Sequence, residues 1–98
     1  MCGILGLLAP GTHPNLRTEL DLLIHRGPDE GGGYADADVF LGTRRLSIID
    51  VAGGQQPLSV AGGTVWVIQN GEIYNYLALK AELEARGHFF HTRSDTEV

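Results

Sequence analysis

The chain is cut into short pieces by its own turn residues. Fourteen of its 98 residues are glycine, and seven of them, at two points beside proline, punctuate the chain: Pro10-Gly11, Gly27-Pro28, Gly53-Gly54, Gly62-Gly63 and Gly87. The segments between read as short strands and two helices, and 98 residues make one domain at most. Ile4–Ala9 reads as a buried strand closed by Pro10-Gly11. Leu16, Leu20, Leu23 and Ile24 recur at i, i+4, i+7 and i+8, one face of an amphipathic helix that Gly27 suits as C-cap and Pro28 cannot continue. Short strands are expected around Val39–Leu41, Leu46–Ile49 and Thr64–Ile68, and "PLSVAGGTVWVI" reads as a hairpin. A second helix runs from about Asn75 to Arg86, with Asn75 as cap, Tyr76, Leu79 and Leu83 on one face, a Glu82–Arg86 pair, and Gly87 at its end. "HFFHTR" reads as one more strand. Ser94-Asp95-Thr96-Glu97 has the form of a capping box. It announces a helix beyond Val98, so the sequence reads as part of a longer protein.

Composition excludes several function classes. Twelve acidic against seven basic residues give a net charge of −5, and the basic residues are dispersed apart from Arg44-Arg45, so no nucleic-acid footprint is present. No apolar run approaches the roughly 20 residues of a membrane helix, and Cys2–Pro10 lacks the charged start of a secretory signal. A single cysteine makes no internal disulfide, which fits a reducing cytoplasm. The four histidines show no metal-ligand spacing, and no metal site is expected.

That one cysteine is residue 2. Once Met1 is removed, Cys2 carries a thiol and a free α-amine together. A cysteine thiol is ordinarily only about 3% thiolate at pH 7 and needs a base. An α-amine is roughly 10–20% unprotonated at that pH and is a base of suitable strength, directly or through one water. On position alone, a small buried cysteine at the start of a strand is the simpler explanation. In "VIQNGEIYN", the Asn70 amide and the Gly71 N–H are the donor types an oxyanion requires, though Asn-Gly is also an ordinary turn. Arg44 and Arg45, at the entrance of a strand, should face opposite ways, so that one could clamp a carboxylate bidentately while the other meets solvent, though taken alone the two read more simply as a solvated basic pair. Glu72 and Asp95 could hold an ammonium group or be surface charges and caps. His25 fits best as a residue ordering its Gly/Pro loop.

"MCGI", "HRGPDE", "LGTRRLSIIDVAGGQQPL", "NGEIYN" and "TRSDTEV" occur in one order across residues 1–98. Together they resemble the N-terminal glutaminase domain of glutamine-hydrolysing asparagine synthases, within the class II glutamine amidotransferases. The resemblance implies an α/β (α+β) N-terminal-nucleophile hydrolase sandwich of antiparallel sheets with flanking helices, of which residues 1–98 are the first half. It implies Cys2 as nucleophile with its own amine as base, and Asn70 and Gly71 as oxyanion hole. Arg45 would grip the α-carboxylate of glutamine, Leu46, Ser47, Ile48 and Ile49 would line the pocket, and Glu72 and Asp95 would meet the substrate's amino end. His25–Asp29 resembles the loop packed beside that pocket. Thr43 departs from the pattern, standing where many relatives carry histidine. The partners implied are glutamine and a C-terminal synthetase domain, with neither nucleic acid nor membrane. ATP and magnesium would belong to that second domain and no cofactor to this segment. Rival readings are a related amidotransferase with another acceptor, a peptidase-like N-terminal nucleophile enzyme that would not need the Arg45 clamp, and an inactive piece or interaction module.

Overall fold

The computed structural model describes residues 2–46 and 53–98. The architecture is α+β with antiparallel sheets. Strands β1 (Gly3–Leu8), β2 (Glu30–Ala35) and β3 (Val39–Arg45) form one sheet in the order β1-β3-β2. Strands β4 (Leu58–Val60) and β5 (Val65–Val67) form a two-stranded sheet. Helix α1 (Arg17–Leu20) runs on into a 3₁₀ turn at Asp21–Leu23, helix α2 spans Tyr76–Ala85, and a last 3₁₀ turn covers Asp95–Glu97.

β3 is the central strand and carries the core. Phe40 is fully buried and Leu20 of α1 nearly so. A Cβ at Gly42 would come within 2.8 Å of the Phe40 ring and 3.2 Å of Leu20, so the bare backbone there lets helix and ring close on the strand. β2 and β3 are joined at Asp36, whose carboxylate accepts the N–H groups of Asp38 and Val39 at 2.8 Å each and the Tyr34 hydroxyl at 2.9 Å. These bonds to the charged form hold the Asp36 carboxyl below its usual range, the two backbone N–H groups contributing most. Tyr34, donating to that carboxylate, is pushed up in turn. On its other side Tyr34 stacks on Trp66 of β5, with ring centroids 4.1 Å apart, which ties the two sheets together.

Several expectations hold closely. β1, the β4–β5 hairpin with its turn at Ala61–Gly63, and α2 fall where the pattern put them. Tyr76, Leu79 and Leu83 form the half-buried face of α2, and Glu82 pairs with Arg86 at 2.6 Å. Gly87, at φ 93°, ends the helix: its N–H reaches Glu84 O and His88 N–H reaches Leu83 O, the two bonds of a Schellman motif.

Others are corrected. The first helix keeps α geometry for only four residues. Its 3₁₀ continuation stacks residues three apart, so Leu23 follows Leu20 inward against Gly3 while Ile24 is left exposed. Gly27 has no positive φ and is not a C-cap; a Cβ there would overlap the Arg44 carbonyl and the Arg45 nitrogen, so its role is close approach to β3. Asn75 makes no side-chain cap bond. The glycine-rich run after His25 contains β2, because Gly31, Gly32 and Gly33 pair with β3 through backbone alone. The Arg44-Arg45 pair lies at the end of β3, not at a strand entrance. Leu46 lies beyond β3 and outside any strand, while positions 47–49 of the expected Leu46–Ile49 strand lie outside the described residues. "HFFHTR" is not a strand: the N–H groups of His91 and Thr92 go to the Glu97 carboxylate, at 2.7 Å each, in place of a ladder.

Candidate active site

The register of the three-stranded sheet assembles the site. In the β1–β3 ladder Gly3 faces Arg44, so Cys2 sits one residue past that rung, at the level of Arg45. In the β2–β3 ladder Glu30 faces Arg45. The thiol, the guanidinium and a carboxylate therefore meet at one end of the sheet, although they are separated by dozens of residues in sequence. Cys2 is half-buried, its Sγ 3.8 Å from the Leu46 carbonyl. Arg45 is 5% exposed. Its Nη1 donates to Glu30 Oε1 at 2.6 Å, a charge-assisted bond that fixes the plane of the fork. Arg44 turns to the other face and its Nε donates to Gly27 O at 3.1 Å. Asp29 N–H donates to Arg45 O at 3.2 Å, so the His25–Asp29 loop does pack beside this end of β3.

A cleft of about 120 Å³ opens here, lined by Cys2, Arg45 and Leu46 from one side and Asn70, Gly71 and Glu72 from the other, with Asp95 at its wall. Asn70, Gly71 and Glu72 are exposed in the turn leading from β5 to α2. Asp95 is 5% exposed and its Oδ2 accepts the Ile73 N–H at 2.7 Å, so it both lines the cleft and pins that turn. The structure thus gathers seven of the expected site residues around one opening. Ser47, Ile48 and Ile49 lie outside the described residues.

Four further lining residues had no assigned place in the site: Gln56, Gln69, Ser94 and Thr96. Ser94 and Thr96 flank Asp95, and the capping pattern was a signal that this segment is ordered. Ser94 Oγ does cap, accepting Thr96 N–H at 3.2 Å. Glu97 does not reach back to complete the box. It folds over the preceding segment instead, taking the Thr92 hydroxyl at 2.6 Å beside the two backbone N–H groups. Burial works against its charge, but these donors outweigh it and hold the Glu97 carboxyl below its usual range. Gln56 lies in the "GGQQPL" stretch and Gln69 directly before Asn70-Gly71, but only the tertiary structure shows what each faces.

The chemistry of the lining is specific. It combines a thiol, a buried cation, two carboxylates, and an Asn-Gly turn that presents amide donors. Such a set suits a small zwitterion bearing a carboxamide. The glutamine amidotransferase domain family matches residues 1–98, the whole chain. The chain belongs to that family. Its curated relatives include asparagine synthetase [glutamine-hydrolyzing] 1 of Bacillus subtilis (strain 168), 50% identical over 107 residues that cover all of this chain and 17% of the relative. Asparagine synthetase [glutamine-hydrolyzing] 1 of Arabidopsis thaliana is 43% identical over 103 residues, again with full coverage of this chain and 17% of the relative. The Zea mays asparagine synthetase [glutamine-hydrolyzing] shows the same 43% over 103 residues. This amidotransferase chain therefore spans about a sixth of the length of the relatives it matches. Among its described residues no helix is long and apolar enough to cross a membrane.

Proposed function

We propose that residues 1–98 form the first part of the glutaminase domain of a cytoplasmic asparagine synthase and carry its glutamine site. The observation that supports this most directly is the convergence of Cys2, Arg45, the Asn70-Gly71 turn, Glu72 and Asp95 on one cleft. With Met1 removed, the α-amine of Cys2 takes the thiol proton, and the sulfur attacks the carboxamide carbon of glutamine. The carbonyl π-electrons move to oxygen, where the Asn70 amide and the Gly71 N–H donate to the oxyanion. Collapse of that intermediate expels ammonia, with the proton returned from the α-ammonium group, and leaves a γ-glutamyl thioester. Water, deprotonated by the same amine, then releases glutamate and restores the thiol. Arg45, its plane set by Glu30, holds the substrate's α-carboxylate, and Glu72 and Asp95 hold its ammonium end. Each charge of the zwitterion has a counter-charge, which fixes the carboxamide against Cys2.

In this proposal the released ammonia is consumed by a synthetase domain that activates aspartate with ATP and magnesium. Among the described residues no group of three or more His, Cys, Asp or Glu is placed to hold a metal ion.

The test is Cys2→Ala in the intact polypeptide. It should abolish glutamine-dependent synthesis while leaving ammonia-dependent synthesis in place. Equal loss of both activities would overturn the proposal.

A further inference from the structure

The Asn70-Gly71-Glu72 turn is held at both ends. Beyond it, Ile73 N–H is bound by Asp95. Before it, Gln69 N–H donates to Gln56 Oε1 at 2.7 Å. The Gln69 side chain is fixed as well: the Thr96 hydroxyl donates to Gln69 Oε1 at 3.0 Å and accepts from Gln56 Nε2 at 3.1 Å. Three hydrogen bonds thus close a ring through Gln56, Gln69 and Thr96, residues 13, 27 and 40 apart in sequence.

The ring has one sense only. A backbone N–H can only donate, so the oxygen of the Gln56 amide must face Gln69, and its NH₂ must face Thr96. The hydroxyl has one proton and spends it on Gln69 Oε1, an acceptor, so it receives from Gln56. Gln56 is 9% exposed, which shields these bonds from competing water. Adjacent residues Asp95 and Thr96 therefore grip opposite ends of the turn, and Gln56 locks the end nearer Asn70.

We propose that Gln56 and Thr96 are positioning residues for glutamine hydrolysis, acting through Gln69 to hold the Asn70 amide and the Gly71 N–H at the height where the oxyanion forms. The inference rests on the reading of that turn as the oxyanion hole. Donor placement at such a site is unforgiving: losing one oxyanion donor costs about 10²–10³ in kcat, and a misplacement of about 1 Å can cost about a hundredfold.

The experiment compares Gln56→Leu, Thr96→Val, Thr96→Ser and the Gln56→Leu/Thr96→Val double variant in the intact polypeptide. Steady-state glutamine hydrolysis is measured alongside amide hydrogen exchange at Gln69 and Ile73. Gln56→Leu and Thr96→Val should each lower kcat about tenfold or more with a smaller change in KM, since Arg45, which holds the α-carboxylate, lies at the end of β3 on the opposite wall of the cleft. Thr96→Ser, which keeps the hydroxyl, should restore most of kcat. The double variant should lose no more than the worse single one, because both break one ring. Exchange at Gln69 should quicken in Gln56→Leu while Ile73 stays protected. An unchanged kcat alongside fast Gln69 exchange would overturn the proposal, as would a loss of kcat in which Ile73 is equally deprotected. A parent enzyme that does not hydrolyse glutamine would overturn the functional reading itself, and the exchange measurement would then show separately whether the clamp exists.

Discussion

Thr43 is the sharpest test of the packing around the site. It lies on the central strand β3, between Ile4 of β1 and Gly32 of β2, and is 1% exposed. Its Oγ1 is buried and has no hydrogen-bond partner among the described residues. An unpartnered buried hydroxyl costs about 1–3 kcal/mol against the same group in water. Thr43→Val exchanges that hydroxyl for a methyl of nearly the same volume, keeps the β-branch the strand favours, and leaves the backbone ladder untouched. The substitution should therefore stabilise β3 by about 1 kcal/mol, the low end of the range, which corresponds to a roughly fivefold smaller open population and equally slower exchange. Thr43→Ser keeps the hydroxyl and deletes the methyl, so it should lose about 1 kcal/mol to reduced burial and a small cavity. The assay is hydrogen exchange of the peptide spanning β3, under conditions where exchange follows the opening equilibrium. The expected order of protection is Val above Thr above Ser. Faster exchange in Thr43→Val than in the parent would mean that the hydroxyl is satisfied in solution, and the argument would fail.

Three further outcomes follow from the same geometry. Glu30→Gln removes the charge that orients the buried Arg45 fork; with the Glu30 side chain 27% exposed, the loss should fall between surface and fully buried pairs, about 1–2 kcal/mol, read as a KM for glutamine raised about tenfold with a smaller change in kcat. Gly27→Ala drives a methyl into the Arg44 carbonyl and should cost about 1–3 kcal/mol, seen as a drop in the urea midpoint of the intact polypeptide; an unchanged midpoint would contradict the close approach. Acid should loosen the Glu97 clamp: the folded carboxyl lies below its ordinary value of 4.5, so its stabilisation is complete above that value and is lost as pH falls through the lowered one. Protection of the His91 and Thr92 amides, corrected for intrinsic exchange, should fall over that window and should not do so in Glu97→Gln.

The misread segments share a cause. Gly31-Gly32-Gly33 drew no strand expectation because strand propensity is carried by side chains, and β2 is held by backbone bonds to β3 instead. "HFFHTR" looked like a strand because it has the residues of one, yet its N–H groups find a carboxylate six and five positions on. The motifs at Cys2, Arg45, Asn70-Gly71, Glu72 and Asp95 were legible because each is a short run of chemically distinctive residues. Gln56 and Gln69 were not, since a glutamine acquires a role only from what it faces.

By itself the sequence placed β1, the β4–β5 hairpin and α2, and determined the kinds of chemistry available, through one terminal thiol, an arginine pair and an Asn-Gly turn. Tertiary structure alone decided which of these meet. Antiparallel pairing sets Glu30 opposite Arg45 and brings Cys2, one residue before β1, to the same end of the sheet, and the Gln56–Gln69–Thr96 ring draws the opposite wall of the cleft together. Register and hydrogen-bond closure are properties of strands and loops in contact, and no local stretch of residues encodes them.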